Sequence, residues 1–187
     1  MTKRGAVLSP GAGGSGEQRI LVTVARRLEA AGFAERRVTF STAGQGPSKG
    51  YAKELADIRA ARDALRAEGC ERIALVGRSF GGRLSVRLAA LEPPDALVVL
   101  SHPIAPPDRP RPDDEAALTA VRCPTLIVQG DEDHLGPLAL LRRIAASNPL
   151  IDVVVIAGAG HSLSVAREKE AAEHAARWLE ATLPASG

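Results

Sequence analysis

Six short apolar runs recur along the chain, each separated from the next by a longer stretch patterned for a helix. They are Gly5–Ser9, Arg37–Phe40, Arg72–Gly77, Ala96–Ser101, Thr125–Gln129 and Ile151–Ile156. Val, Ile and Leu dominate them, and the central runs lack polar alternation, as expected of strands buried on both faces. Between them the helical stretches carry their own punctuation. Ser15 and Gln18 have capping-box spacing, after which Ile20, Leu21, Val24 and Leu28 share one face, and Gly32 suits a C-terminal stop. Leu55, Ile58 and Leu65 mark a second apolar face, closed by Gly69. Further helices are expected after Ser79, over Leu138–Ala146, over Val165–Leu183 and, briefly, over Asp114–Ala120. Strands alternating with helices predict an α/β fold: a three-layer α/β/α sandwich around a six-stranded, mainly parallel sheet. With 187 residues, no repeat and no linker, residues 1–187 read as a single domain. The segment His102–Asp114 holds Pro103, Pro106, Pro107, Pro110 and Pro112, which predicts a stiff, ordered loop.

Charge and composition narrow the function. The net charge is only +2 and the basic residues are dispersed in pairs such as Arg26–Arg27 and Arg142–Arg143. Nucleic-acid binding needs a clustered basic patch, and 3% aromatics leave little to stack bases on, so no nucleic-acid partner is expected. Cys70 and Cys123 are too few for a disulfide framework and read as small buried residues. Lys3 and Arg4 precede an apolar stretch, Ala6–Leu8, that is too short for a signal peptide, and no run matches a membrane span. The expectation is a cytoplasmic protein with no membrane partner.

Three motifs follow three of the predicted strands. Gly77-Arg78-Ser79-Phe80-Gly81 lies between a strand and a helix, the setting of a nucleophile elbow. Flanking glycines let a strained turn lift the serine hydroxyl clear of the sheet, and the helix N-terminus behind it favours developing negative charge. Gly130-Asp131-Glu132-Asp133 offers two aspartates, either of which can orient a histidine; Asp131 equally suits a turn. Gly158-Ala159-Gly160-His161-Ser162 places a histidine, the side chain suited to proton transfer near neutrality, on a flexible loop. His134 and His174 read as bystanders, whereas His102 follows a strand and is a candidate to line the pocket. Serine, acid and histidine arrive in the chain order of an α/β-hydrolase triad, each past the carboxyl end of a strand.

The loop Gly11-Ala12-Gly13-Gly14-Ser15-Gly16 also satisfies the dinucleotide-binding pattern. That pattern needs an acidic residue at the end of the next strand, where this chain has Thr39-Phe40-Ser41-Thr42. The same loop better supplies an oxyanion-hole amide, from Ala12 with Gly11 as second candidate, opposite the amide of Phe80.

Pro10-Gly11-Ala12-Gly13, Gly77-Arg78-Ser79-Phe80-Gly81-Gly82-Arg83, Ser101–Pro107, Pro124–Gly130 and Gly160-His161 together resemble the small, capless α/β-hydrolases related to dienelactone hydrolases. The subgroup they resemble holds the hydrolase-like domains of testis-expressed and chromatin-complex proteins. The resemblance implies strand order second, first, third, fourth, fifth, sixth. It also implies that Asp133, with Pro137 four residues on, is the acid of a triad Ser79–His161–Asp133. The family has histidine where Pro10 stands, which bears on substrate fit. Arg83 belongs to the Gly-Gly-Arg extension and reads either as a carboxylate binder or, more simply, as a local ion pair. The implied activity is cleavage of a small ester or thioester through an acyl-enzyme, with no metal or organic cofactor, by a monomer or homodimer. A domain of this fold with an idle triad, acting as an interaction module, is the alternative.

Overall fold

The computed structural model describes residues 2–185. Its strands are β1 (Arg4–Ser9), β2 (Phe33–Arg37), β3 (Arg72–Arg78), β4 (Ala96–Leu100), β5 (Thr125–Gly130) and β6 (Ile151–Ile156). Its helices are α1 (Arg19–Ala30), α2 (Ala52–Ala67), α3 (Phe80–Leu91), α4 (Pro112–Thr119), α5 (Leu138–Ser147) and α6 (Val165–Thr182). The strands form one sheet in the order β2-β1-β3-β4-β5-β6, and every pairing is parallel. This is the expected order. The reversal between β1 and β3 opens a crevice at the carboxyl edge, where open α/β sheets bind ligands.

The pleat divides the apolar runs between two cores. Ala6, Leu8, Ala74, Val76, Val98 and Leu100 pack with α1 and α6. Val7, Ile73, Leu75, Leu97 and Val99 pack with α2, α3, α4 and α5. Burying each large aliphatic side chain contributes roughly 1.5–3 kcal/mol. Cys70 and Cys123 are buried in the second core, in keeping with their expected role. No helix among the described residues is long and apolar enough to cross a membrane.

Three local expectations are corrected. The second strand runs over Phe33–Arg37 and not Arg37–Phe40. Val38 and Phe40 are buried, but they fill the second core as the chain leaves the sheet edge. The edge strand itself is polar, with Arg36 paired to Glu68 and Arg37 to Glu17 and Glu35. Val38 still donates to Leu8 O at 2.8 Å, but pairing stops there, and the rest of the apolar run marks burial beyond the sheet edge. Second, α4 begins at Pro112 rather than Asp114, because proline is tolerated in a first helical turn whose N–H has no partner. Third, Ser15 and Gln18 make no capping box. Ser15 Oγ accepts from the Glu17 amide, and Gln18 Oε1 accepts from the Gly11 amide at 2.9 Å. The glutamine ties down the first loop instead of the helix.

Gly81 shows how closely α3 approaches β1. Its amide donates to Pro10 O at 2.9 Å, and a Cβ built there would lie 2.4 Å from Ser9 O and 2.5 Å from Pro10 O. Both obstacles are backbone, so Gly81→Ala must push the helix off the sheet. Overpacking of this kind costs ~1–3 kcal/mol. A chain of this size should then melt about 2–4 °C lower for each kcal/mol lost, as read by thermal unfolding.

Candidate active site

β3 ends at Arg78 and α3 starts at Phe80, which leaves Ser79 alone in the turn at φ 51°, ψ −111°. A positive φ is strained for a residue with a side chain. Ser79 N donating to Leu100 O at 2.9 Å, Arg83 N to Ser79 O at 3.0 Å and the Gly81–Pro10 bond hold the turn. The hydroxyl emerges above the sheet beside His161, with Oγ 2.8 Å from Nε2.

His161 Nδ1 lies 2.9 Å from Asp133 Oδ2. A carboxylate accepts only, so Nδ1 carries the proton and the Nε2 lone pair is left to accept from Ser79. The carboxylate that reaches the histidine is that of Asp133, whose side chain is fully buried. Asp131 is exposed and accepts from the Ala159 amide at 3.3 Å, bracing the loop that presents His161. Gly130 lets that loop approach, because a Cβ there would sit 2.0 Å from Ala159 O.

Two positioning side chains escaped the motif reading. Gln129, buried at the end of β5, donates through Nε2 to Asp133 Oδ2 at 2.8 Å and to Gly136 O at 3.0 Å, while its Oε1 accepts from the His102 amide at 2.7 Å. The Leu135 amide donates to the other carboxylate oxygen at 3.0 Å. Asp133 is thus held on both oxygens. Arg78 donates through Nη2 to His161 O at 2.7 Å, and its Nη1 is 3.4 Å from Nε2. Burial lowers the Arg78 pKa, opposed by the charges of Asp133 and Glu168. A lone polar residue closing an apolar strand was the available signal for Gln129. For Arg78 the signal was a cation inside the elbow itself.

Ala12 and Phe80 both line the mouth of the site, and their amides donate to no group among the described residues. The Gly11 amide is engaged by Gln18, so of the two candidate donors Ala12 is the unengaged one. Gly11 lines the adjoining cleft beside Arg78 and Glu168. His102 does not line the crevice. It is wholly buried, both ring nitrogens lack partners among the described residues, and burial pushes its pKa down to about 4, so the ring is neutral. Gly136 packs tightly against its backbone, where a Cβ would lie 2.0 Å from His102 O. Arg83 forms an ion pair, as the simpler reading expected, but with a distant partner: Asp114 of α4 at 2.6 Å, which also takes Arg87 at 2.6 Å.

A crevice of about 680 Å³ opens beside Ser79 and His161, walled by Tyr51, Phe80, Leu135 and Arg83. Across Ala12 and Phe80 lies a smaller pocket of about 190 Å³, lined in part by Phe40, Ala43 and Pro47. Its rim, residues 41–48, is pinned by buried Glu54. That carboxylate accepts from Thr42 Oγ1 at 2.6 Å, from the Ser48 amide at 2.9 Å and from Ser48 Oγ. Burial opposes its ionisation, but these bonds prevail and bring the pKa from 4.5 to about 2. The folded-state pKa is depressed, so the stabilisation is complete above 4.5 and is lost as pH falls through about 2. Glu54→Gln should therefore destabilise the protein by roughly 1–3 kcal/mol at pH 7. The gap to the parent, followed by urea denaturation, should narrow toward pH 2.

A serine in a strained strand–helix turn, backed by histidine and a buried aspartate on an uncapped sheet, defines the capless α/β serine hydrolase fold. Residues 2–183 match the alpha/beta hydrolase domain family, and the chain belongs to that family. It is similar to a serine hydrolase homologue of Coxiella burnetii, with 26% identity, TM-score 0.79, and coverage of 96% of this chain and 86% of that one. It is also similar to XC6422 of Xanthomonas campestris, described as an α/β serine hydrolase without a lid, at 21% identity, TM-score 0.79 and coverage of 100% and 86%. Est1E of Butyrivibrio proteoclasticus shares the fold at 20% identity, TM-score 0.80 and coverage of 98% and 90%. An uncharacterized Mycobacterium tuberculosis protein, Rv2307c, is 30% identical over a 173-residue alignment. That alignment takes in 80% of this chain and 60% of the relative, so the chain spans about 60% of the curated relative's length.

Proposed function

We propose that the protein is a serine hydrolase that cleaves small esters or thioesters through an acyl-enzyme. The observation that carries this reading is the continuous chain from Ser79 Oγ through His161 to Asp133, at 2.8 and 2.9 Å, beside two unengaged amides. His161 Nε2 takes the hydroxyl proton as Ser79 attacks the carbonyl. The amides of Ala12 and Phe80 receive the oxyanion, each typically worth ~3 kcal/mol in the transition state. Asp133 stabilises the imidazolium, which then protonates the departing alcohol or thiol. Water, activated by the same histidine, releases the acid and restores Ser79. Within the family we read the chain as part of the dienelactone-hydrolase-related branch, on the resemblance of its Pro10–Gly13 and Gly77–Arg83 segments.

The test is a panel of short-chain p-nitrophenyl esters and acyl thioesters, run beside labelling with a fluorophosphonate probe. Saturable turnover and a single label on Ser79 are expected. A folded protein that turns over none of them and takes no label would instead be an interaction module with an idle triad.

A further inference from the structure

The two amides set to receive the oxyanion stand on segments of opposite character. Phe80 opens α3, in a turn held by the backbone bonds around Ser79. Ala12 stands in Gly11-Ala12-Gly13-Gly14, where three glycines of four give the backbone wide conformational freedom. That segment lies past the end of β1 and ahead of α1, so neither a strand ladder nor a helix fixes it. An oxyanion donor contributes most when it is aimed before the reaction begins.

The side chain of Gln18 supplies the missing restraint. Its Oε1 accepts from the Gly11 amide at 2.9 Å. Gly14 packs against the same side chain, and a Cβ built there would run into Nε2, Cδ and Cγ of Gln18. The Gly14 amide donates to Gly11 O at 3.0 Å and closes a turn with Gly13 at φ 68°. That bond sets the plane of the Gly11–Ala12 peptide. In a trans peptide the N–H lies opposite the C=O, so with Gly11 O engaged by Gly14 the Ala12 N–H is directed away from the turn. Gln18 is itself placed by its backbone, its amide donating to Ser15 O and its carbonyl accepting from the Val22 amide, both at 3.1 Å. The start of the loop is tied to the elbow, since Pro10 O accepts from the Gly81 amide, one residue beyond Phe80, at 2.9 Å.

We propose that Gln18 is the positioning residue of the oxyanion hole. The glycine loop folds around its side-chain amide, and this fold aims the Ala12 N–H. The role rests on the hydrolase reading, because the aim of that amide affects a rate only where an oxyanion forms. Gln18 touches no reacting atom and acts through the loop alone.

Steady-state cleavage of p-nitrophenyl butyrate tests this. Gln18→Ala should lower kcat by about ten- to a hundredfold, less than the ~10²–10³ that loss of a whole donor costs, with KM little changed. Affinity for an alkyl boronic acid, which forms a tetrahedral adduct on the serine, should fall by a similar factor. A loss of stability alone would reduce the folded fraction and leave both quantities per folded molecule unmoved. Gln18→Glu keeps an acceptor for the Gly11 amide and should recover part of the loss. Gly14→Ala displaces the glutamine from the other side and should also slow the enzyme. In the Gln18→Ala background nothing is left to displace, so Gly14→Ala should then cost little more. A further arm needs no turnover: the heteronuclear NOE of the Ala12 amide in ¹⁵N-labelled protein should report a rigid group in the parent and a mobile one in Gln18→Ala. A parent-like kcat in Gln18→Ala, an Ala12 amide as rigid there as in the parent, or losses that simply multiply in the double variant, overturns the proposal. If esters are cleaved and neither kcat nor the NOE responds, only the role of Gln18 falls. If the parent cleaves nothing yet Ala12 loosens in Gln18→Ala, the hydrolase reading fails and the hold of Gln18 on the loop stands.

Discussion

Replacing Ser79 with alanine is expected to lower kcat by about 10⁶ and to erase fluorophosphonate labelling. The size follows from the arrangement. Without Oγ, the lone pair that His161 prepares has no proton to take, and the adjacent amides have no covalent intermediate to hold. What survives is binding and oxyanion stabilisation of direct attack by water, typically ~10³–10⁴ over the uncatalysed reaction. Stability should hardly change. The strained φ of 51° is imposed by backbone bonds to Leu100, Pro10 and Arg83, none of which uses the hydroxyl. Steady-state kinetics beside thermal unfolding therefore separates chemistry from folding. Alanine and parent equally active would remove Ser79 as the nucleophile.

Asp133→Asn should be the next largest loss, about 10⁴ in kcat by analogy with serine proteases. Asp133 Oδ2 accepts from both His161 Nδ1 and Gln129 Nε2, and the Leu135 amide donates to Oδ1. Asparagine must put its NH₂ at one of these positions, and each already faces a donor. With the NH₂ toward His161, the imidazole turns to the tautomer protonated on Nε2 and can no longer take the serine proton. With the NH₂ toward Leu135, two donors oppose each other in a buried site, at a cost of roughly 1–3 kcal/mol. A pH–rate profile joined to a denaturation curve reads both effects. Asp131→Asn serves as comparison and should lose far less, since among the described residues the Asp131 side chain meets only the Ala159 amide. Equal losses at the two positions would mean that the aspartate facing His161 is not the acid.

The elbow was legible because its chemistry is local: a glycine-flanked serine between a strand and a helix announces its own backbone conformation. The sheet was legible because continuous Val, Ile and Leu runs are what burial on both faces requires. Where the reading failed, the cause was contact between distant segments. Val38 and Phe40 looked like a strand since burial and pairing leave the same apolar trace. Gln18 looked like half of a cap, yet Gly11 lies within its reach only once β1 and α1 are packed together. His102 looked like a pocket residue because it follows a strand, and whether such a side chain faces ligand or core is decided by packing, which leaves it wholly buried.

By itself, then, the sequence determined a parallel α/β sheet, the strained turn at Ser79 and the chain order of Ser79, Asp133 and His161. Periodicity and turn chemistry are properties of neighbours along the chain, and these features need nothing more. Only the tertiary structure decided that Asp133 and not Asp131 reaches His161, that Gln129 and Arg78 hold that pair in line, and that Arg83 pairs with Asp114 at the crevice wall. Those outcomes depend on which side chains share one small volume after six strands have been brought side by side. Spacing along the chain does not encode that volume; the packing of the sheet and its loops creates it.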